Sequence, residues 1–237
     1  MKFKHVFLIG VGGTGSHLIG PLVQLLRFHP EGTNDITLID GDVYEEKNLN
    51  RQQFNEEALG ENKARATVDR LKRETVRSIS QYVDQEKFTR ILKKTVEKDD
   101  SILVITAVDN HATRNAVIRA LDDEEYTNFM LISPGNAYDR GQVVSYVKED
   151  GELLTCHPFD KYADIADPED NIPANNAGCD QQVAATPQLI TANMGAAWGT
   201  LVIISNVLDD KGFYEELHFN CTTAKLVPQG GVKGVLI

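Results

Sequence analysis

The stretch Leu8-Ile9-Gly10-Val11-Gly12-Gly13-Thr14-Gly15-Ser16 decides how this chain folds. It follows an apolar run and opens an amphipathic one, so the chain begins with a strand, a glycine turn and a helix. Gly10 permits the tight turn, Gly12 lets the backbone approach a phosphate, and Gly15 lets helix and strand pack closely, with Gly13 part of the same turn. The helix N-terminus behind it presents unpaired N–H groups to an anion. Such a start binds phosphate, and on its own it serves NAD as well as ATP.

Outward from this turn, His5 to Ile9 reads as a buried strand and Ser16 to Phe28 as its crossover helix, with Leu18, Leu22, Leu25 and Leu26 on one face. Asp35 to Asp40 is the next strand. A polar loop from Gly41 to Asn62 leads to a helix carrying Ala64, Val68 and Leu71, after which Ser80 to Val83 and Ser101 to Thr106 supply short apolar runs. Ala112 to Leu121 is helical again. Phe129 to Ser133 and Gln142 to Val147 read as strands, with Pro134, Gly135 and Gly141 as turn residues between them. This alternation predicts an α/β fold: a doubly wound, mostly parallel Rossmann-like sheet with helices on both faces.

From Glu149 to Asp180 the chain is rich in Asp, Asn, Pro and Gly without sustained periodicity, and it is read as a crossover loop on the substrate side. Thr186-Pro187 then supplies an N-cap and a first-turn proline for a small-residue helix running to about Val207, whose Ala192, Gly195, Ala196 and Gly199 permit close packing. Glu215 to Asn220 and Ala224 to Pro228 read as an antiparallel C-terminal extension, and Gln229 to Gly234 as a flexible tail. The whole is expected to be one domain over 1–237, with a nucleotide-binding core at 1–148, the crossover at 149–185 and the C-terminal helix and strands at 186–237.

Composition narrows the function classes. A length of 237 residues can bury a proper core, and a formal net charge of −11 opposes a broad phosphate-backbone footprint, so nucleic acid is not expected as a ligand. The longest apolar stretch, around Met194 to Ile204, is interrupted by Gly195, Gly199 and Thr200 and reads as too short to span a bilayer. No basic-then-apolar signal segment precedes His5, so a cytoplasmic protein without a membrane segment is expected. Three cysteines, Cys156, Cys179 and Cys221, are too few for a disulfide framework and fit a reducing compartment. His5, His17, His29, His111 and His218 show no metal-ligand spacing, and His17 reads as part of an ordinary helix face.

A second cluster discriminates between cofactors. Asp40 ends the second strand, where a doubly wound fold places an acid beside a ribose. The following loop brings Arg51 and then Lys63 toward the same phosphate pocket, and two cations there stabilise a triphosphate and the charge that develops as pyrophosphate leaves. Asp109 follows the apolar run 101–106, so it should sit at the carboxyl edge of the sheet, able to hold Mg²⁺ or to cap the helix that starts near Ala112. An NAD-dependent oxidoreductase would use the glycine turn and Asp40 but leave Arg51, Lys63 and Asp109 without a joint purpose.

Read in order, these residues resemble the ThiF/MoeB/HesA-type adenylyltransferases, the superfamily that includes ubiquitin-activating enzymes. The matching series is the G-x-G-G-x-G turn of Gly10 to Gly15, the pair Asp40 and Asp42, the block Asn48-Leu49-Asn50-Arg51-Gln52, Gly60 to Lys63, and Asp109-Asn110 with Arg114. It continues through Gly141-Gln142-Val143 and Ala177-Gly178-Cys179 into the small-residue helix. The resemblance implies ATP-dependent adenylation of the C-terminal carboxylate of a small ubiquitin-like or sulfur-carrier protein or peptide, giving an acyl-adenylate and pyrophosphate. It assigns Asp40 to the ribose, Arg51 and Lys63 to the phosphates and Asp109 to Mg²⁺, with Asp42, Asn48 and Gln52 also lining the nucleotide site. A homodimer is implied as well.

The sequence also departs from that family. Many relatives hold zinc with two C-x-x-C pairs, whereas this chain offers only Cys156, His157 and Cys221, so zinc is not expected. Family dimers often receive an arginine from an N-terminal helix of the partner, and here the first strand starts almost at Met1. Cys179 lies where some relatives place a cysteine that takes the acyl group in a second step, but its neighbours Gly178 and Asp180 supply no cation to lower its pKa. A non-catalytic binding module of the same fold is the remaining alternative.

Overall fold

The computed structural model describes residues 1–123, 126–172 and 188–232. Its spine is one mixed sheet. Strand β1 (His5–Ile9) lies between β2 (Ile36–Ile39) and β4 (Ile102–Thr106), β3 (Val76–Ile79) flanks β2, and β5 (Phe129–Asn136) flanks β4, all parallel. Beyond β5 the sheet turns antiparallel through β6 (Arg140–Glu149), β8 (Phe213–Asn220) and β9 (Lys225–Val232), while the two-residue β7 (Glu152–Leu153) pairs with β6. The spatial order β3-β2-β1-β4-β5-β6-β8-β9 reverses direction between β1 and β4, the switch point at which doubly wound sheets bind ligands.

Alternation along β1 shows how both faces come to be covered. Val6 and Leu8 point into one core with Leu18, Leu22 and Leu26 of α1 (Gly13–Phe28) and Ile203, Ile204 and Val207 of α7 (Ile190–Leu208). Phe7 and Ile9 point the other way, toward Phe88 and Leu92 of α3 (Gln85–Thr95) and Val117 and Leu121 of α4 (His111–Asp123). Helix α2 (Lys63–Leu71) joins the first layer through Ala64. Leu8 has no solvent exposure, so its truncation to Ala is expected to cost about 2–5 kcal/mol.

Several expectations require correction. The third strand is Val76–Ile79 rather than Ser80 to Val83, because at the sheet edge only one face needs apolar residues: Val76 is buried while Arg77 and Ser78 are exposed. Pro134, Gly135 and Gly141 are strand residues, not turn residues, pairing as Pro134 with Val143, Gly135 with Gln142 and Asn136 with Gly141. The proline is tolerated because β5 pairs with β4 only as far as Ile132. Gln229 to Val232 continue β9 against Phe213–Glu216 instead of forming a tail.

Helix α3 has no counterpart in the sequence reading, although Asp84 caps it by accepting from the Lys87 N–H at 2.8 Å and Phe88, Ile91 and Leu92 follow helical spacing. The crossover contains two short helices, α5 (Pro158–Lys161) and α6 (Ala163–Ala166). The small-residue helix begins at Ile190 with Leu189 as its N-cap, and the cap expected at Thr186-Pro187 lies outside the described residues. At 19 residues α7 is by length and composition long and apolar enough to cross a membrane, contrary to the sequence reading, because the helix runs from Ile190 to Leu208, past both ends of the stretch Met194 to Ile204. Half of its apolar window is buried within the fold, against α1 and the sheet.

Candidate functional site

Three strand ends converge at the carboxyl edge: Gly10 after β1, Asp40 after β2 and Asp109 after β4. Gly10 adopts φ +89°, and a Cβ there would lie 2.5 Å from the Ala107 carbonyl oxygen, so only glycine lets β1 turn beside β4. Gly12 is the N-cap of α1 and offers no side chain, which leaves the first-turn N–H groups without intrahelical partners and open to an anion. The nearest group to a Cβ at Gly12 would be Gln52 Nε2, at 3.8 Å.

Asp40 ties this turn to β2. One carboxylate oxygen accepts from the Val11 N–H at 2.6 Å and the other from the Asp42 N–H at 2.8 Å. Burial pushes the Asp40 carboxyl up to about 6, against the opposing pull of Lys63.

Asn62 organises the next layer. As the N-cap of α2 it accepts from the Arg65 N–H, while its Nδ2 donates to the carbonyls of Asp40 and Asp42 at 2.8 and 2.9 Å. Lys63, the first residue of α2, is thereby set beneath the acids, with Nζ 2.9 Å from Asp42 Oδ2. Burial works against the Lys63 charge, yet Asp40 and Asp42 hold the ammonium above its ordinary range. Asp42 is likewise penalised by burial but held low by Lys63 and by the Tyr82 hydroxyl, which donates to Oδ1. Lys63 is thus committed to an acid, and a phosphate would share its remaining N–H donors.

The loop carrying Arg51 is pinned from both ends. The Tyr44 and Phe54 rings stack at 4.0 Å, His17 Nε2 lies 2.9 Å from the Arg51 carbonyl oxygen, and Ser16 Oγ accepts from the Gln53 N–H. His17 is therefore a buried loop anchor rather than part of an ordinary helix face. Among the described residues the Arg51 guanidinium makes only long contacts, 3.5 Å each, with the Lys47 carbonyl and Asn50 Oδ1. Asn48 is buried and turns its Oδ1 to the Glu45 N–H, closing a capping box at the short 3₁₀ turn Glu46–Asn48. Gln52 is buried, and its Oε1 has no partner among the described residues.

Asp109 is exposed, and no hydrogen bond to its carboxylate occurs among the described residues. The cap of α4 is Asn110, whose Oδ1 accepts from the Thr113 N–H at 2.7 Å, and the Asp170 carboxylate of the crossover accepts from the His111 and Ala112 N–H groups. Capping therefore leaves Asp109 available. Asp40, Asp42 and Asp109 all act on Tyr82, whose hydroxyl is pushed upward by burial and by these charges. Arg114 is buried next to Asp109 and donates to the carbonyls of Val108 and Pro134; burial lowers it to about 10.

Tyr82 and Asn62 were missed in the sequence because each acts through the Asp42 neighbourhood rather than through a motif of its own. Among the described residues no group of three or more His, Cys, Asp or Glu is arranged to hold a metal ion. His157 instead lies 3.0 Å from Asp122. Cys179 lies outside the described residues.

Crystal structures share this architecture. PaaA superposes with a TM-score of 0.64 at 16% identity, and Escherichia coli MccB with succinimide at 0.64 and 20%, each covering 98% of this chain and 65% of the other. E. coli MccB with ATP superposes at 0.61 and 18%, with the same coverage. The chain thus spans about two thirds of the length of these structures. No curated protein sequence matches it. The sequence profile of the ThiF family matches residues 1–234, nearly the whole length, and the chain belongs to that family.

Proposed function

We propose that this chain adenylates the C-terminal carboxylate of a small ubiquitin-like or sulfur-carrier protein or peptide. A carboxylate oxygen attacks the α-phosphorus of ATP, the bond from that phosphorus to the bridging oxygen breaks, and pyrophosphate leaves with the electron pair. The observation that carries the reading is the convergence of the glycine turn, the Asp40–Asp42–Lys63 cluster and the free carboxylate of Asp109 on one sheet edge. Support also comes from E. coli MccB structures that contain ATP, and AMPCPP together with MccA.

In this reading Asp40 receives the ribose, and the first turn of α1 with Lys63 and Arg51 receives the phosphates. Gln52 brings its Nε2 to the turn at Gly12, while Asn48 acts by shaping the loop. Asp109, an exposed carboxylate at the sheet edge, would hold Mg²⁺ in the manner usual for nucleotide sites. Bound there, the ion would neutralise charge on the phosphates. Cys179 is not needed, because the nucleophile is the substrate's own carboxylate.

A second copy of the chain is the proposed partner for α7, where Ile190, Met194 and Trp198 are exposed at successive four-residue steps, with Trp198 beside Pro21 and Leu25 of α1. The deciding experiment is pyrophosphate exchange into ATP, with candidate small proteins ending in Gly-Gly as carboxylate donors. Exchange that depends on the donor supports adenylation. Tight donor binding without exchange would make the chain a binding module, and stronger stabilisation by NAD than by Mg-ATP would return it to the oxidoreductases.

A further inference from the structure

The buried face of α7 is built from small and apolar residues, with two polar exceptions. Thr200 is satisfied, its hydroxyl donating to the Ala196 carbonyl at 2.9 Å. Asn193 is not: it is 1% exposed, and neither Oδ1 nor Nδ2 has a partner among the described residues. A buried amide with both ends unmade costs the fold more than an apolar side chain of the same size, so its presence calls for a second state in which those bonds are made.

The surroundings of the amide identify that state. A Cβ placed on Gly13 would lie 2.6 Å from Asn193 Oδ1 and 2.9 Å from Nδ2, so the amide fills the space left by the missing side chain, directly behind the phosphate-binding turn. Gln52 flanks the preceding glycine and also has a buried, unpaired oxygen. The central pair Gly12-Gly13 is therefore bracketed by two amides with spare hydrogen-bonding capacity. Peptides that aim their N–H groups forward at an anion turn their carbonyls to the rear. The Gly13 carbonyl already accepts from the Ser16 hydroxyl at 3.1 Å, and beside Gly13 the Asn193 amide adds a donor in Nδ2 and an acceptor in Oδ1 that the other peptide groups of the turn can use.

We propose that Asn193 is a positioning residue for this turn, its amide pairing with the backbone around Gly13 when the turn closes on the phosphates of a bound nucleotide. The inference rests on the adenylation reading for the identity of that nucleotide. Asn193 acts through the turn and does not touch the ribose or the base.

The test compares wild type with Asn193→Leu, which keeps the volume and removes both polar atoms. Calorimetric titration with Mg-ATP and AMPCPP is expected to show about tenfold weaker binding in the variant, the size of one or two lost hydrogen bonds. Adenosine affinity should stay unchanged, and the melting temperature without ligand should be equal or higher. Asn193→Ala guards against a Leu that does not pack: it should melt lower but show the same selective loss for phosphate-bearing ligands. ATP affinity equal to wild type in both variants overturns the proposal, as does an equal loss for adenosine and ATP, which would mark a purely structural residue. A wild type that binds no ATP overturns the adenylation reading and this inference with it.

Discussion

Lys63 Nζ lies 2.9 Å from Asp42 Oδ2 at the carboxyl edge of the sheet, and the same Asn62 that caps the helix of Lys63 holds the backbone of Asp42. The cation is thus part of the fold before any phosphate arrives. Removing it leaves two carboxylates in a desolvated site, and Lys63→Met should therefore lower stability by about 2 kcal/mol and abolish ATP binding together. Pairing it with Asp42→Asn should restore much of the melting temperature without restoring binding. Recovery of both in the double variant would show that Lys63 serves only to balance Asp42.

Asp40 predicts a pH dependence. Its carboxyl is raised from an ordinary value of 3.8 to about 6, so the folded state prefers the neutral acid. Its contribution to stability is complete below the unfolded value and is lost as pH rises through about 6. Nucleotide binding has the opposite sign, since the ionised group must accept from Val11, Asp42 and a ribose hydroxyl at once. Wild-type affinity for Mg-ATP should rise between pH 5 and 7 with a midpoint of about 6, and Asp40→Asn should bind weakly with a flat profile. A sloping profile in that variant would assign the titration elsewhere.

Asp109 is free of capping duty because Asn110 and Asp170 supply the caps at α4. Asp109→Asn is therefore expected to leave the unliganded melting temperature within about 0.5 kcal/mol of wild type. The additional stabilisation that Mg²⁺ gives to ATP binding should disappear, while metal-free ATP binds as before. Magnesium dependence retained in the variant would remove Asp109 from the metal site.

The switch-point architecture was readable because β1 and β4 are continuous buried runs and the glycine turn sets α1 directly behind β1; helix α2 was readable from its apolar spacing. Edges were less legible. β3 exposes Arg77 and Ser78, and β5 runs through Pro134 and Gly135 because one side of it lacks a partner strand there, so local composition points to turns where pairing makes strand. In the candidate site, motif spacing singles out residues one by one, but it does not show their present partners. Nothing local in the sequence indicates that Lys63 is spent on Asp42, that His17 anchors the Arg51 loop, or that Asn193 comes to rest behind Gly13. Each of these depends on a contact between distant segments.

Trp198 is more than half exposed on a helix whose opposite face is core, with Met194 one turn before it. If a second copy covers this stripe, Trp198→Glu should convert a dimer to a monomer in sedimentation at micromolar concentration without unfolding it. A wild type that sediments as a monomer removes the proposed interface, and an unchanged dimer in the variant places the interface elsewhere.

The crossover is held by a charge cluster whose titration can be followed separately. Lys161 of α5 reaches Glu216 at 2.6 Å and Glu215 at 2.7 Å, and His218 Nε2 lies 2.7 Å from the other Glu216 oxygen. Burial alone would raise Glu216, but Lys161 and His218 hold it down at about 2, against an ordinary 4.5. An acid depressed in this way gives stability above its unfolded value and loses it as pH falls through the folded one. Glu216→Gln should cost about 1–2 kcal/mol near neutral pH, toward the lower end because Lys161 is partly solvated. Its melting curve should converge on that of wild type as pH falls from 4.5 toward 2. Amide exchange across α5 and α6 should quicken in the variant while the parallel strands stay protected, since the cluster ties the crossover to β8 and does not reach the central core. Uniform loss of protection across the whole sheet would contradict that local role.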